Sequence, residues 1–418
     1  MKYSEYLIKT YKETPNKVES INGDLLIRGG FIDQLSAGVY TYLPLGLRVI
    51  DKIAHIIRDE MNKAGGVELL MPALHPRENW EKTGRWETED NLYRFTSYYS
   101  KTDSALGATH EEVVMPLMKN FVDSYRDLPK YVYQIQNKFR DEKRAKAGLL
   151  RGKEFLMKDL YSFHANVEDL DRYYEIMKQA YTNIYNRCGI GEVTYLTFAS
   201  GGSFSKFSHE FQTITDSGED TIYLCEKCKI AINQEVIDIQ KDCPECGNTD
   251  LKKIKAVEVG NIFKNMTKYS SVFDLDFTDS DGKRQTVITG CYGIGLGRLM
   301  GTVAEVSHDK SGVIWPKSIA PFEIHLITLG DESVNSTANK IYMELQEHGY
   351  DIIWDDRDET AGTKFADADI IGCPLRLLIS KKSLDNDSVE LKLRSAEKSE
   401  IVRIDELNAA VEETLNAK

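Results

Sequence analysis

No uninterrupted apolar stretch in this chain approaches the roughly 18 residues that a membrane-crossing helix needs, so a helical anchor is not expected. Cysteine is sparse. Seven in 418 residues are too few for a disulfide scaffold. A surplus of positive charge is missing too: 53 Lys and Arg stand against 66 Asp and Glu, a formal net charge of −13. That argues against a protein that coats nucleic acid non-specifically, while leaving room for a local cationic field. The first residues, MKYSEYLIKTYKETP, mix acids with bases and lack an apolar h-region, unlike a secretory or transit peptide. A cytoplasmic location is therefore expected. Internal repeats and low-complexity tracts are absent as well.

What remains is an ordinary globular composition, 41% hydrophobic and 28% charged, with length enough for two domains and a sizeable core. Leu47–Lys63 carries apolar residues at Val49, Ile50, Ile53, Ile56, Ile57 and Met61, a 3.6-period stripe ended by Gly65-Gly66. The strand-like run VELLMPAL follows. Tyr131–Phe139 and Phe155–Phe163 read as strands of an antiparallel hairpin. Between them lies a cationic loop, in FRDEKRAKAGLLRGKEF (139–155). Val167–Arg187 reads as a helix capped by Asn166 and stopped by Gly189. Gln285–Ile294 reads as a strand, with a helix opening near Gly297. Beyond Pro321 the pattern alternates between strands and helices over about 100 residues, a separate α/β domain.

The loop poses a chemical question. Arg140 and Glu142, two apart, are expected on one face of the first strand, with Arg151 and Phe155 flanking the second. Strand-held guanidinium groups suit a phosphate or carboxylate, and an aromatic face beside them can stack on a base. Arg298, just inside the helix after GCYGIGLG, adds the positive end of that helix to the same field. Three arginines around one anion suit a triphosphate. Solvated loop charges and a core phenylalanine are the other reading of the same residues.

FRDE…RGKEFLMKDLYSFH resembles motif 2 of the class II aminoacyl-tRNA synthetases, in the form found in bacterial prolyl-tRNA synthetases. SAGVYTYLPLGLRVIDKIAHIIRDEMNKAGGVELLMPAL resembles the N-terminal block and motif 1, with Pro72 as its proline. LGATHEE (106–112), SHEF (208–211), TKYS (267–270), GCYGIGLGR as motif 3, and DDRDETAGTKFADADIIG follow in the family's order. The resemblance covers nearly the whole chain. It implies an α+β class II catalytic domain, an antiparallel sheet with flanking helices, and a C-terminal α/β anticodon-binding domain. The expected division is 1–218 and 257–317 for the catalytic domain, 219–256 for a small cysteine-rich insert, and 318–418 for the anticodon domain.

The resemblance also implies the activity: L-proline and ATP, with Mg²⁺, give prolyl-adenylate, and the prolyl group passes to tRNA(Pro). Arg140 would bridge the proline carboxylate and the α-phosphate, with Glu142 on the adenine side and Phe155 stacking on the adenine. Arg151 and Arg298 would hold the distal phosphates, and Glu258 would serve the metal or the ribose. Thr109, Glu111 and Cys291 would line the proline pocket. A buried Glu111 suits the protonated imino group of proline; a surface acid is the alternative. Cys291 reads equally as a small core residue. Lys143, Arg144 and Lys146 lie at the loop tip, where Arg144 would meet the tRNA acceptor end. Arg357 and Lys364 would lie near the anticodon, or on a solvated surface.

Cys225-x-x-Cys228 and Cys243-x-x-Cys246, fourteen residues apart, suit a structural tetrahedral Zn²⁺ site. The insert holding them is far smaller than the editing domain many bacterial members carry between motifs 2 and 3, so cis-editing of alanyl-tRNA(Pro) is not expected. Asn261 stands where the family usually has histidine, and Ala108 where proline is common. Helix 47–64 with VELLMPAL would supply a two-fold interface, making a homodimer; a plain core-facing helix has the same periodicity. The rival readings are another class IIa synthetase, a generic adenylating ligase, and a non-catalytic paralogue that binds tRNA or an amino acid.

Overall fold

The long amphipathic stripe does become a helix, α1 (Pro44–Lys63), and all six of its apolar positions are buried within the chain. Its apolar face is therefore not the free surface expected of a dimer contact. The computed structural model describes residues 1–15, 18–145, 147–201 and 207–416. Lys146, placed at the loop tip by the sequence, lies outside the described residues, as do Phe204 and Lys206 just before SHEF. The chain divides into two compact units, Met1–Leu35 with Tyr40–Lys52 and Val303–Lys418, and Ser36–Val39 with Ile53–Thr302.

The second unit is built on a nine-stranded sheet. Its strands are β1 (Val67–Glu68), β5 (Lys130–Phe139), β6 (Glu154–His164), β7 (Thr194–Ser200), β8 (Phe207–Ile214), β9 (Asp220–Cys225), β10 (Ile230–Asn233), β11 (Lys252–Met266) and β12 (Ile288–Gly295). They lie in the order β8-β7-β10-β9-β11-β12-β6-β5-β1, with β8 also pairing β11. A separate three-stranded sheet joins β2 (Leu74–Pro76), β3 (Arg94–Thr96) and β4 (Asp103–Leu106). Antiparallel pairing dominates the large sheet, since hairpin-linked strands pair locally. The expected hairpin is β5–β6, in register from Lys130 opposite Phe163 to Phe139 opposite Glu154.

Helix α3 (Val167–Arg187) covers the sheet. Asn166 caps it, its side chain accepting from the Asp169 N–H at 2.9 Å, which satisfies one orphan donor of the first turn. Its inward face presents Tyr173, Tyr174, Tyr181 and Tyr185, all buried. Gly260 on β11 is needed there: a Cβ would sit 2.4 Å from the Tyr185 hydroxyl.

Three local readings change. VELLMPAL is strand at Val67–Glu68 and again only at its last residue, Leu74, which opens β2. Pro72 has no N–H for a ladder, and side-chain amides replace it: Gln134 accepts from Met71 N–H at 3.0 Å, and Gln136 donates to the Met71 carbonyl at 2.9 Å. The strand also stops at Phe139, so Arg140 and Glu142 do not share a strand face. Asp141 N–H is drawn to the Asn91 carbonyl at 2.7 Å, and Glu142 N–H to the Arg140 carbonyl at 2.8 Å, a three-residue turn. Finally, the cysteine-rich segment extends the large sheet, β9 pairing β11 and β10 pairing β7.

In the first unit, strands Ile324–Leu329, Ile352–Asp355 and Leu375–Ser380 are parallel, and Ser388–Leu393 and Glu400–Arg403 complete the sheet antiparallel. Helices Glu332–Glu347, Ala361–Ile371 and Leu407–Asn416 accompany it. The expected alternation holds, with Glu400–Arg403 an extra edge strand.

Candidate active site

Arg140, Arg151 and Arg298 line one cavity of about 320 Å³. Three routes bring them there. Arg140 follows the end of β5; its backbone N–H still donates to the Lys153 carbonyl at 2.8 Å across the mouth of the hairpin. Arg151 stands just before β6. Arg298 is in the first turn of α4 (Leu296–Val306), after the glycine-rich end of β12. Glu142, Phe155, Glu258, Thr109, Glu111 and Cys291 line the same cavity.

The cations are held in different ways. Arg140 lies 5.4 Å over the Phe155 ring, a cation–π contact. Burial first, and then the charge of Arg298, press its pKa below the usual guanidinium value. Arg298 donates from Nε to the Leu150 carbonyl at 2.9 Å and from Nη1 to the Glu258 carbonyl at 3.1 Å, with the Glu258 carboxyl at 3.5 Å. Arg151 binds Glu142 at 2.8 Å and Glu219 at 2.7 Å, and its side chain is 42% exposed. Asn261, where a histidine is usual, donates to Glu258 Oε1 at 3.0 Å and fixes that carboxyl.

At the other end of the cavity, Glu111 opens helix α2 (Glu111–Met118) and is 2% exposed. Its Oε2 and the Thr109 hydroxyl are both buried with no hydrogen-bond partner among the described residues. Such orphaned polar atoms are costly in a core and apt in a ligand pocket. Cys291 lies beside them; burial, then the charge of Glu111, push its thiol pKa well above normal. Gly107 lets the loop close, because a Cβ there would sit 2.8 Å from the His75 ring.

Sequence reasoning missed a buried polar frame behind this pocket. Asp159 receives Lys138 at 2.7 Å, Gln134 at 3.0 Å and the Tyr161 hydroxyl at 3.0 Å, and that hydroxyl accepts from His110 N–H at 3.0 Å. The loop holding Thr109 and Glu111 is thereby tied to β5 and β6. Arg85, also missed, binds Glu112 at 3.1 Å and Glu89 at 3.0 Å, with Glu111 at 3.7 Å. Charged residues inside apolar strands, as at Lys138, Lys158 and Asp159, were the available signal. Nothing in the sequence marked Arg85.

Outside the cavity, Arg144 is exposed near the loop tip, and Lys143 binds Asp90 at 2.7 Å. The four paired cysteines meet: their sulfur atoms lie within 4.8 Å of one another, Cys225 and Cys246 at 3.8 Å. A tetrahedron with 2.3 Å metal–sulfur bonds has edges of about 3.8 Å, so the set fits Zn²⁺. The backbone N–H of Cys228, then the Asn248 amide, hold the Cys225 thiol down at about 6, against the effect of burial. In the first unit, Arg357 binds Asp355 and Asp367, each at 2.7 Å, and lies over Tyr3. Lys364 is 3% exposed and donates to the Thr328 and Asp355 carbonyls at 2.9 and 3.2 Å. Its charge serves the interior rather than the solvated surface weighed for it.

Comparison with known proteins agrees with this geometry. Residues 93–307 match the tRNA synthetase class II core domain (G, H, P, S and T), and residues 318–414 match an anticodon binding domain. A proline–tRNA ligase of Dehalococcoides mccartyi is 35% identical, the match covering 97% of this chain and 98% of that protein. The Bacillus subtilis proline–tRNA ligase is 33% identical over 98% of this chain and 100% of its own length. That of Moorella thermoacetica is 31% identical, with 99% of each covered. The chain belongs to the proline–tRNA ligase family of class II synthetases. The family places the catalytic core in the unit that holds the three arginines, and the α/β domain at the C-terminus is the anticodon-binding fold. The alignments to the first two relatives run over 557 and 571 positions against a chain of 418, so at least 139 positions of each have no counterpart here.

Proposed function

We propose that the chain activates L-proline with MgATP to prolyl-adenylate and transfers the prolyl group to tRNA(Pro). One observation carries this reading: three arginines distant in sequence share a cavity with a buried, under-partnered carboxyl at its far end. The proline carboxylate attacks the α-phosphate of ATP and diphosphate leaves. The attacking group is already an anion, so catalysis needs positioning and charge stabilisation rather than a side-chain nucleophile. Arg140, between the two ends, would hold the proline carboxylate and the α-phosphate together. Phe155 would stack on the adenine with Glu142 near its edge, and Arg151 and Arg298 would take the distal phosphates. Glu258 is the acid available to the Mg²⁺ of the nucleotide or to its ribose. Glu111 would pair with the imino nitrogen of proline, with Thr109 and Cys291 completing the pocket.

ATP–pyrophosphate exchange with proline, alanine, cysteine, threonine, serine, histidine and glycine tests the assignment, followed by charging of tRNA(Pro). Exchange stimulated best by proline is expected; preference for threonine, serine, histidine or glycine, or no exchange at all, would overturn it.

Three further roles belong to this reading. Arg144 would contact the acceptor end of the tRNA. Cys225, Cys228, Cys243 and Cys246 would hold one structural Zn²⁺, leaving no open coordination position for chemistry. Val67, Leu70 and Leu74, respectively 64, 75 and 56% exposed, would form a two-fold contact with a second copy. The 38 residues from 219 to 256 are too few for an editing domain, and no cis-hydrolysis of alanyl-tRNA(Pro) is expected. Release of alanine from that tRNA by the purified enzyme would contradict this.

A further inference from the structure

The hairpin of β3 and β4 ends in Ser97-Tyr98-Tyr99-Ser100-Lys101-Thr102, which has two aromatic rings, one cation and no acid. Its turn is well formed: Ser97 N–H donates to the Thr102 carbonyl at 2.9 Å, and Lys101 N–H to the Ser97 carbonyl at 3.0 Å. Lys101 adopts φ 56°, where glycine or asparagine would be less strained. Tyr98 is 78% exposed and Tyr99 92%. The rings stand perpendicular at 5.1 Å, with the Lys101 ammonium 4.7 Å over Tyr98. The turn needs neither tyrosine for its fold, and two exposed rings beside a cation form a surface suited to flat, anionic partners.

The position of the hairpin says which partner. Arg94, at its root, donates to the Glu89 carbonyl at 2.6 Å and the Trp86 carbonyl at 2.8 Å. The adjoining residues hold the cationic loop: Asn91 accepts from Asp141 N–H at 2.7 Å, and Asp90 binds Lys143 at 2.7 Å. Segment 89–94 thus carries the loop and the hairpin together, and Glu89 and Asn91 line the cavity. From Arg94 to Tyr98 the extended chain spans about 13 Å. That length bounds how far the two rings lie from the segment that lines the cavity, where the proposed function puts the 3′ end of the tRNA.

We propose that Tyr98 and Tyr99 form a stacking platform for the unpaired nucleotides of the tRNA acceptor end, with Lys101 against a neighbouring phosphate. This rests on the function proposed above. Unpaired RNA bases are taken up on aromatic rings without need of sequence readout, and a single cation adds a salt-dependent contact.

The test is a Tyr98→Ala/Tyr99→Ala enzyme assayed in two reactions. Proline-dependent ATP–pyrophosphate exchange should match the parent, whereas KM for tRNA(Pro) in charging should rise roughly five- to a hundredfold. Tyr98→Phe/Tyr99→Phe should retain parental charging, because rings and not hydroxyls do the stacking. Lys101→Ala should lessen the slope of log KM against log salt by about one. Unchanged charging by the alanine variant would overturn the proposal, as would equal damage from the phenylalanine pair. Dissociation of an oligomer with loss of exchange would overturn it too, by making the tip a contact with a second copy. A parent enzyme that fails proline-dependent exchange sinks the functional assignment instead, which separates the two failures.

Discussion

Replacing Glu111 by Gln keeps the size of the side chain and one acceptor oxygen, and exchanges the charged carboxylate for a neutral amide. Glu111 is 2% exposed, and its nearest cation, Arg85, is 3.7 Å away while bound more closely to Glu112 and Glu89. Its Oε2 has no hydrogen-bond partner among the described residues. On the proposed function, the protonated imino nitrogen of bound proline would supply what is missing. Two charges about 3 Å apart at an effective dielectric of about 20 attract by roughly 5.5 kcal/mol before desolvation. Desolvation removes much of this, leaving the roughly 1.5–3 kcal/mol of a hydrogen bond to a charged group. Glu111→Gln should therefore lower kcat/KM for proline in ATP–pyrophosphate exchange about 10- to 150-fold. KM for ATP should stay within about twofold.

The fold should not suffer, because deleting a poorly paired buried charge is neutral or stabilising. Its neighbour provides the control. Glu112 is fully buried and satisfied, accepting from Thr83 at 2.9 Å and Arg85 at 3.1 Å. Glu112→Gln leaves Arg85 short of a counter-charge and should cost up to about 3 kcal/mol in denaturant unfolding. If Glu111→Gln leaves proline kinetics unchanged, or destabilises as much as Glu112→Gln, the assignment of Glu111 to amine recognition is refuted.

Other perturbations separate the parts of the molecule. Arg144→Ala should weaken tRNA charging and spare pyrophosphate exchange; equal loss of both would give the residue to adenylation. Cys243→Ser should reduce the bound zinc from one ion per chain and lower the unfolding midpoint, while the folded fraction still activates proline; unchanged zinc by elemental analysis would exclude the site. Lys158 is fully buried, and burial brings its pKa down to about 7, against about 10.4 in the unfolded chain. Between pH 7 and 10 the unfolded chain therefore binds a proton the folded one does not, so this group's stabilising contribution grows as pH rises and is lost as pH falls towards 7. Lys158→Met should be most favourable relative to the parent below pH 7, the difference shrinking by about 1.4 kcal/mol per unit up to pH 10. A pH-independent difference in urea unfolding would show that the lysine does not titrate there.

Much of the framework was legible because it depends on short-range periodicity. The stripe of α1, the strands flanking the loop and the cap at Asn166 all follow from residues within a few positions of one another. From the residues alone the convergence of Arg140, Arg151 and Arg298 was one of two readings, and the resemblance favoured it, since no local pattern says that residues 147 positions apart share a cavity. Where the reading failed, a distant group had intervened. The strand stops at Phe139 because the Asn91 carbonyl captures Asp141 N–H. The cysteine segment looked like a detached knuckle because its spacing advertises a metal site, while the pairing of β9 with β11 depends on alternation too short to see. Whether the face of α1 was a core or a contact surface turned on burial, which periodicity does not encode.

The titratable groups around the cavity also show what kind of chemistry it can perform. Among the described residues lining it there is no histidine. Nearby His110 and His75 are pushed down by burial to about 3 and about 4, so both are neutral at physiological pH. The Cys291 thiol and the Tyr161 hydroxyl are pushed far upward by burial, keeping both protonated and non-nucleophilic. Lys138 is drawn against Asp159 at 2.7 Å. The two histidines, the thiol and the phenol are thus kept neutral by their surroundings, while the guanidinium groups stay charged. What the cavity adds beyond its carboxylates is fixed positive charge. A reaction in which a carboxylate attacks a phosphate, both already anionic, needs the crowded positive charge that Arg140 and Arg298 impose on each other, and an anion entering between them relieves that repulsion. That is how a chain with net charge −13 comes to keep its cations together at one place.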